Sequence, residues 1–156
     1  GLGIGHVMEP MSGLLALGRD AERAAKAGGR NALAILVDKR SGGRRQTVLS
    51  WHDDPLARLK QDRGLLDGRL STGKVYELEM LLKRMPDPDG AADIPANAAA
   101  ALFAYANGTL IHSSEGSDGV QLDELGVHPD ANYAHLRADM LRAIDRLLIA
   151  RFVGAP

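Results

Sequence analysis

The stretch Asn31-Ala-Leu-Ala-Ile-Leu-Val-Asp38, with Ser41-Gly42-Gly43 and then Gln46-Thr-Val-Leu-Ser-Trp51, decides how the chain is read. Its first part is an almost unbroken apolar run, the pattern of a strand buried on both faces. Ser41-Gly42-Gly43 is a turn, so residues 31–51 read as a β-hairpin. In front of the hairpin, Leu14, Leu17, Ala21 and Ala24 recur at helical spacing between Met11 and Ala27, flanked by Gly18 and Ala25. Small residues on that stripe let a helix pack closely on a sheet. Pro10 suits its first turn, and Gly28-Gly29 ends it. Gly1-Leu-Gly-Ile-Gly-His6 reads as a strand already under way at residue 1, its glycines on one face where another element can approach the backbone. The front is thus β-α-β-β, too small to be a stable domain alone. A strand starting at the first residue needs neighbours for its backbone groups. The chain is therefore expected to be a piece of something longer, with the hairpin pairing to strands outside it.

Past Trp51 the texture becomes helical. Pro55–Asp67 carries Leu56, Leu59, Leu65 and Leu66 on an apolar side, and Thr72–Met85 carries Val75, Leu78, Leu81 and Leu82. Pro86-Asp-Pro-Asp-Gly90 is a breaker. Pro95–Asn107 is a third helix, Gly108–Gly119 a loop, and Asp130–Val153 the longest helix, with Tyr133, Leu136, Met140, Ile144, Leu147 and Leu148 in register. Four such helices make a small bundle. The expected fold class is α+β, with a mixed domain over 1–51 and a helical domain over 52–156.

With 156 residues, 45% of them hydrophobic, the chain is long and apolar enough for an ordinary globular core. The absence of cysteine removes disulfide scaffolds, thiolate metal sites and thiol nucleophiles. No apolar run is long enough for a bilayer, and no basic-then-apolar leader is present, so the cytoplasm is the expected compartment, with no membrane partner. Aromatic residues make up only 4%, which argues against stacking platforms for single strands. The net charge of −1 hides an asymmetry: residues 1–51 hold 8 Lys+Arg against 4 Asp+Glu, and residues 52–156 hold 11 against 16. The basic front is the better candidate for an anionic ligand, although chance variation on solvated faces gives the same imbalance.

Gly68-Arg-Leu-Ser-Thr-Gly73-Lys74-Val75 imitates a phosphate-binding loop, but Val75 stands where a magnesium-binding hydroxyl is required and no buried strand precedes it. A loop between helices explains it. His6, His52, His112, His128 and His135 lack metal-ligand spacing, Ser113–Gly119 does not follow a calcium-loop pattern, and no Gly-x-Ser-x-Gly elbow occurs. The segment Asp20–Asn31 is different. Lys26 lies on the last helical turn and Arg30 follows as the chain leaves, so both can point to one place beside the buried strand. Two such cations make an anion clamp for polyphosphate, or they complement the negative end of the helix dipole.

Ala25-Lys26-x-x-Gly29-Arg30-Asn31 resembles the signature closing the catalytic palm of GGDEF-type nucleotide cyclases, a ferredoxin-like fold shared with polymerase palms. The wider order is more specific. Gly3-Ile-Gly-His6, Pro10-Met-Ser-x-Leu-Leu15, Ala21-Glu-x-Ala-Ala-Lys26, Asn31-Ala-Leu-Ala34, Lys39-Arg-Ser-Gly-Gly43 and a Trp-ended strand are similar to the large subunit of type III CRISPR effector complexes, of the Cmr type. Gly68-x-Leu-Ser-x-x-x-x-Tyr76-x-Leu78 resembles the helical domain after the second palm of that subunit.

The resemblance implies that 1–51 is the C-terminal half of a ferredoxin-like palm and that 52–156 is a helical bundle meeting other subunits. It implies a parent that makes cyclic oligoadenylate from ATP, with a divalent ion (magnesium or manganese), once target RNA has bound. Its partners would be the rest of the large subunit and the other subunits of the complex, with guide RNA and target RNA met indirectly. The family's Gly-Gly-Asp-Asp turn is not in this sequence, and Asp53-Asp54 is not that turn. No catalytic residue or metal ligand is therefore assigned, and the chain alone is expected to be inactive. Lys26 and Arg30 carry over as nucleotide phosphate contacts, with Lys39, Arg40 and Ser41 at the hairpin tip as secondary candidates. The rival expectations are a fragment of a GGDEF-type diguanylate cyclase and a non-catalytic scaffold that retains the palm fold.

Overall fold

The computed structural model describes residues 1–39, 43–90, 94–111 and 119–154. They form an α+β structure with a three-stranded mixed sheet and, among the described residues, five α-helices. They divide into two compact units, Gly1–Gln61 with Leu148–Pro156, and Asp62–Leu147.

In the first unit, β1 (Leu2–Ile4) runs parallel to β2 (Ala32–Lys39), with Leu2 opposite Ile35 and Ile4 opposite Val37, and α1 (Met11–Ala27) is the crossover. β2 turns back into the antiparallel β3 (Gly43–Ser50), Ala32 opposite Ser50 and Lys39 opposite Gly43. Alternation along β2 sends Ala34 and Leu36 to one face and Ile35 and Val37 to the other, and none is more than 2% exposed. Leu36 clusters with Leu17 and Ala21 of α1. Ile35 and Val37 cluster with Leu59 of α2 (Pro55–Gly68) and with Ile149 and Ala150 of α5 (Tyr133–Val153). The glycine face of β1 is where α1 lies. A Cβ on Gly3 would stand 2.8 Å from the Gly18 nitrogen, and one on Gly1 2.5 Å from the Glu22 nitrogen.

The second unit is helical throughout among the described residues: the rest of α2, α3 (Thr72–Arg84), α4 (Ala98–Ile111), a 3-10 turn at Leu122–Leu125, and α5 as far as Leu147. Leu78, Leu82, Leu102, Leu110, Leu136, Met140, Ile144 and Leu147 are buried at the positions helical spacing requires. Ser71 caps α3 by accepting from the Lys74 backbone N–H, and Lys74 Nζ turns to Glu77 at 2.8 Å, so the phosphate-loop imitation is a helix start. Arg137 closes the other end of α3, donating from Nη2 to the Leu82 carbonyl at 3.1 Å. Arg69 holds Glu124 at 2.7 Å and keeps its carboxyl below the usual glutamate range. The fully buried Asp62 carboxylate accepts from Arg146 Nε at 2.5 Å, and Arg146 Nη2 also donates to the Leu125 carbonyl.

Three local expectations are corrected. Leu56 is 52% exposed and takes no part in a core. α4 starts at Ala98 and continues to Ile111, through Gly108, because Leu110 is fully buried and holds the extra turn. α5 starts at Tyr133, since Asn132 caps it by accepting from the His135 backbone N–H at 3.1 Å. The expected loop at 112–118 lies outside the described residues.

Two stability outcomes follow from this packing. Gly3→Ala should lose about 1–3 kcal/mol, the usual result of forcing a methyl group into a filled contact. Gly18→Ala, whose Cβ meets nothing within 4 Å, should gain about 0.5–1 kcal/mol as an ordinary helix substitution. Denaturant unfolding of the two variants decides this, and equal stabilities would refute the close approach of α1 to β1. In the helical unit, Arg146→Ala should cost about 3–5 kcal/mol by removing one partner of a buried ion pair. The same unfolding measurement checks it.

Candidate functional site

At the exit of α1, the Gly28 N–H donates to the Ala24 carbonyl at 2.9 Å and the Arg30 N–H reaches back to the Ala25 carbonyl at 3.1 Å. Side-chain room is closed at Gly28, where a Cβ would stand 2.6 Å from Val48 Cγ1. The chain reverses through Gly29 (φ 99°) and Arg30 (φ 65°). The left-handed conformation suits glycine, and holding an L-residue there costs on the order of 1–2 kcal/mol. The Arg30 side chain is exposed and has no hydrogen-bond or ion-pair partner among the described residues. Lys26, in the last turn, pairs with Glu22 at 2.7 Å, with about 60% of each side chain exposed. The ammonium of Lys26 holds the Glu22 carboxyl below the usual glutamate range.

Lys26 and Arg30 thus stand at the same exit. Lys39 stands at the far end of β2, about 25 Å away at the usual rise per strand residue. The two sets of cations cannot share one phosphate group. Arg40 and Ser41 lie outside the described residues.

Sequence reading missed two side chains at the α1 exit. Asn31 Nδ2 lies 3.0 Å from His52 Nε2, and the Asn31 carbonyl accepts from the Trp51 backbone N–H at 3.0 Å. An amide nitrogen only donates, so His52 accepts at Nε2. The hairpin register supplies the link, since closing Ala32 on Ser50 brings Asn31 beside the residues that follow Ser50. Asp54, in the left-handed region at φ 44°, caps α2 by accepting from the Ala57 backbone N–H. The Asp53-Asp54 pair therefore begins a helix.

The hairpin tip presents two different faces. On the α1 face, a cleft of about 140 Å³ is lined by Glu9, Asp20, Asp38 and Arg44, among others. Hydrogen bonds from Arg44 and then Arg23 hold the Asp20 carboxyl below the usual aspartate range. Among the described residues, no three histidine or carboxylate side chains are placed to hold a metal ion. On the α5 face, Lys39 Nζ lies over the Phe152 ring, 4.9 Å from its centre.

The described arrangement therefore places two cations at one end of the sheet, Lys26 paired with Glu22 and Arg30 exposed. No family model matches this chain, and neither a curated protein nor a solved structure matches it.

Proposed function

We propose that the α1 exit binds the triphosphate of ATP, as part of a palm domain in the large subunit of a type III CRISPR effector complex that makes cyclic oligoadenylate. The observation supporting this reading is Arg30: a charged residue held in a backbone conformation that favours glycine, one turn beyond Lys26, with its guanidinium facing solvent. The β-α-β unit with its hairpin suits half of a ferredoxin-like palm, and the helical unit suits a module that meets neighbouring subunits.

The residues present fit the triphosphate. An exposed i,i+4 pair such as Lys26–Glu22 contributes only about 0.3–0.5 kcal/mol, whereas a charge-assisted hydrogen bond to phosphate contributes about 1.5–3 kcal/mol. Lys26 can therefore leave Glu22 for the ligand. Arg30 can approach the same anion with its planar fork, and both cations would stabilise the negative charge that builds on a leaving polyphosphate. ATP supplies the adenylyl group, and these side chains only bind and orient. The described carboxylates do not fit a divalent ion, so no step is routed through one. The Lys26–Glu22 pair favours a second reading, a scaffold in which both cations serve the negative end of α1.

The test uses the assembly containing the complete subunit. Lys26→Ala and Arg30→Gly should each lower the cyclic oligoadenylate yield tenfold or more, about 1.4 kcal/mol, while target-RNA binding is unchanged. Arg30→Gly should also leave the melting temperature unchanged or raise it, because glycine relieves the left-handed strain. The 156 residues by themselves should polymerise no nucleotide. Wild-type yields from both variants, or a lower melting temperature for Arg30→Gly, would assign these cations to the fold and leave the scaffold reading.

A further inference from the structure

We propose that His52 is a further phosphate ligand at the α1 exit, donating from Nδ1–H, and that the Asn31 side-chain amide is the positioning residue that fixes this tautomer. This role rests on polyphosphate being the ligand of the exit, and it adds a neutral donor to the two cations there.

Two hydrogen bonds hold His52. Ser50 Oγ accepts from its backbone N–H at 3.1 Å, which starts the short 3-10 turn Trp51–Asp53. Asn31 Nδ2 lies 3.0 Å from its Nε2. The Asn31 main chain is held as well. Its carbonyl accepts from the Trp51 N–H at 3.0 Å, and its own N–H donates to the Gly29 carbonyl at 2.8 Å. The end of β3 is thereby tied to the residue that follows Arg30. Consecutive Cα atoms stand about 3.8 Å apart, and the Arg30 N–H reaches back to the Ala25 carbonyl, immediately before Lys26. Lys26, Arg30 and His52 therefore gather around one reversal of the chain, although His52 arrives from the far end of the hairpin.

The Asn31 contact decides which proton the ring carries. An amide nitrogen donates and cannot accept, so Nε2 must accept. In a neutral imidazole the hydrogen then sits on Nδ1, because the bond made at one nitrogen sets the state of the other. An unrestrained histidine side chain favours the hydrogen on Nε2, so Asn31 holds the ring in its less common form. The Nδ1–H has no partner among the described residues, and the ring is exposed. A fixed donor without an acceptor, tied to the neighbour of a guanidinium that is also without one, suits an anion with oxygens on several sides. A carboxylate has two oxygens in one plane, which the fork of Arg30 would occupy by itself. A phosphate chain has oxygens left over for the imidazole. The competing explanation is structural, with Asn31 and His52 only fastening the ends of the hairpin.

Binding of inorganic tripolyphosphate to the 156-residue chain is measured by calorimetry at about pH 8, where an ordinary histidine is neutral. Amide substitutions separate the two ring nitrogens, since an asparagine amide stands near Nδ1 and a glutamine amide near Nε2. His52→Gln keeps a group for Asn31 and loses the Nδ1 donor. Its affinity should fall about tenfold, as expected for one hydrogen bond to a charged acceptor, at an unchanged melting temperature. His52→Asn keeps the donor and should stay within about threefold of the wild type. Nitrogen NMR spectra should show the Nδ1–H tautomer of His52 in the wild-type chain, and Asn31→Ala should move it toward Nε2–H and weaken binding. An Nε2–H ring in the wild type would overturn the proposal. So would an Asn31→Ala variant that melts lower but binds tripolyphosphate unchanged, which would make the pair structural. Lys26→Ala and Arg30→Gly test the underlying reading separately. If both weaken binding while His52→Gln does not, only the role of His52 fails. If the wild type binds no tripolyphosphate, or both cation variants bind it equally well, the exit is not a polyphosphate site and both readings fail.

Discussion

β2 carries large apolar side chains to both faces of the sheet, and each face has to be covered by a different piece of chain. Leu36 requires α1, whose Leu17 and Ala21 meet it. Ile35 and Val37 require Leu59 from the start of α2 and Ile149 and Ala150 from the end of α5. Burying one such side chain contributes roughly 1.5–3 kcal/mol, and leaving either face open would forfeit several of these terms together. The β-α-β-β front is therefore not a module to which helices are merely appended. Its second face is completed by residues more than a hundred positions away in the chain.

The covering of the first face shapes the α1 exit. Gly1 and Gly3 let α1 descend until backbone meets backbone, and Ala21 is fully buried at that contact. A helix so close to the sheet leaves little room to turn into the next strand. Gly28 is pressed against Val48, and the reversal is completed by two left-handed residues in succession, Gly29 and Arg30. Glycine would satisfy the second position at least as well. The fold accounts for the turn, but it does not account for an arginine there, and that residual choice supports a role for the side chain.

What the sequence disclosed and what it concealed differ in range. The α1 stripe, the double burial of β2, the hairpin and the buried faces of α3 and α5 were legible because each is a periodic pattern within one segment. Helix ends were less so: Asn107 looks like the end of α4 and Asp130 like the start of α5, yet buried Leu110 carries the first on to Ile111 and the Asn132 cap starts the second at Tyr133. Long-range polar pairs left no local trace. Nothing near Asp62 announces Arg146, and nothing near Arg69 announces Glu124, because these contacts exist only after the helices have packed. At the site, Lys26 and Arg30 were recognisable by their spacing within one turn. Asn31 and His52 were not, since pairing them requires the hairpin register first.

The basic character of the first third of the chain becomes more informative once that register is known. Arg44 and Arg45 are adjacent, yet alternation across β3 sends them to opposite faces with opposite consequences. Arg44 enters an environment with Asp20, Asp38 and Glu9 and is neutralised there. Arg45 joins Lys39 and Arg151, where the charges acting on the lysine are both positive. A uniform excess of cations would be shared between the faces and screened by solvent. Here the strand sorts the charges, placing Arg44 with Asp20 on one face and Arg45 on the face that α5 closes.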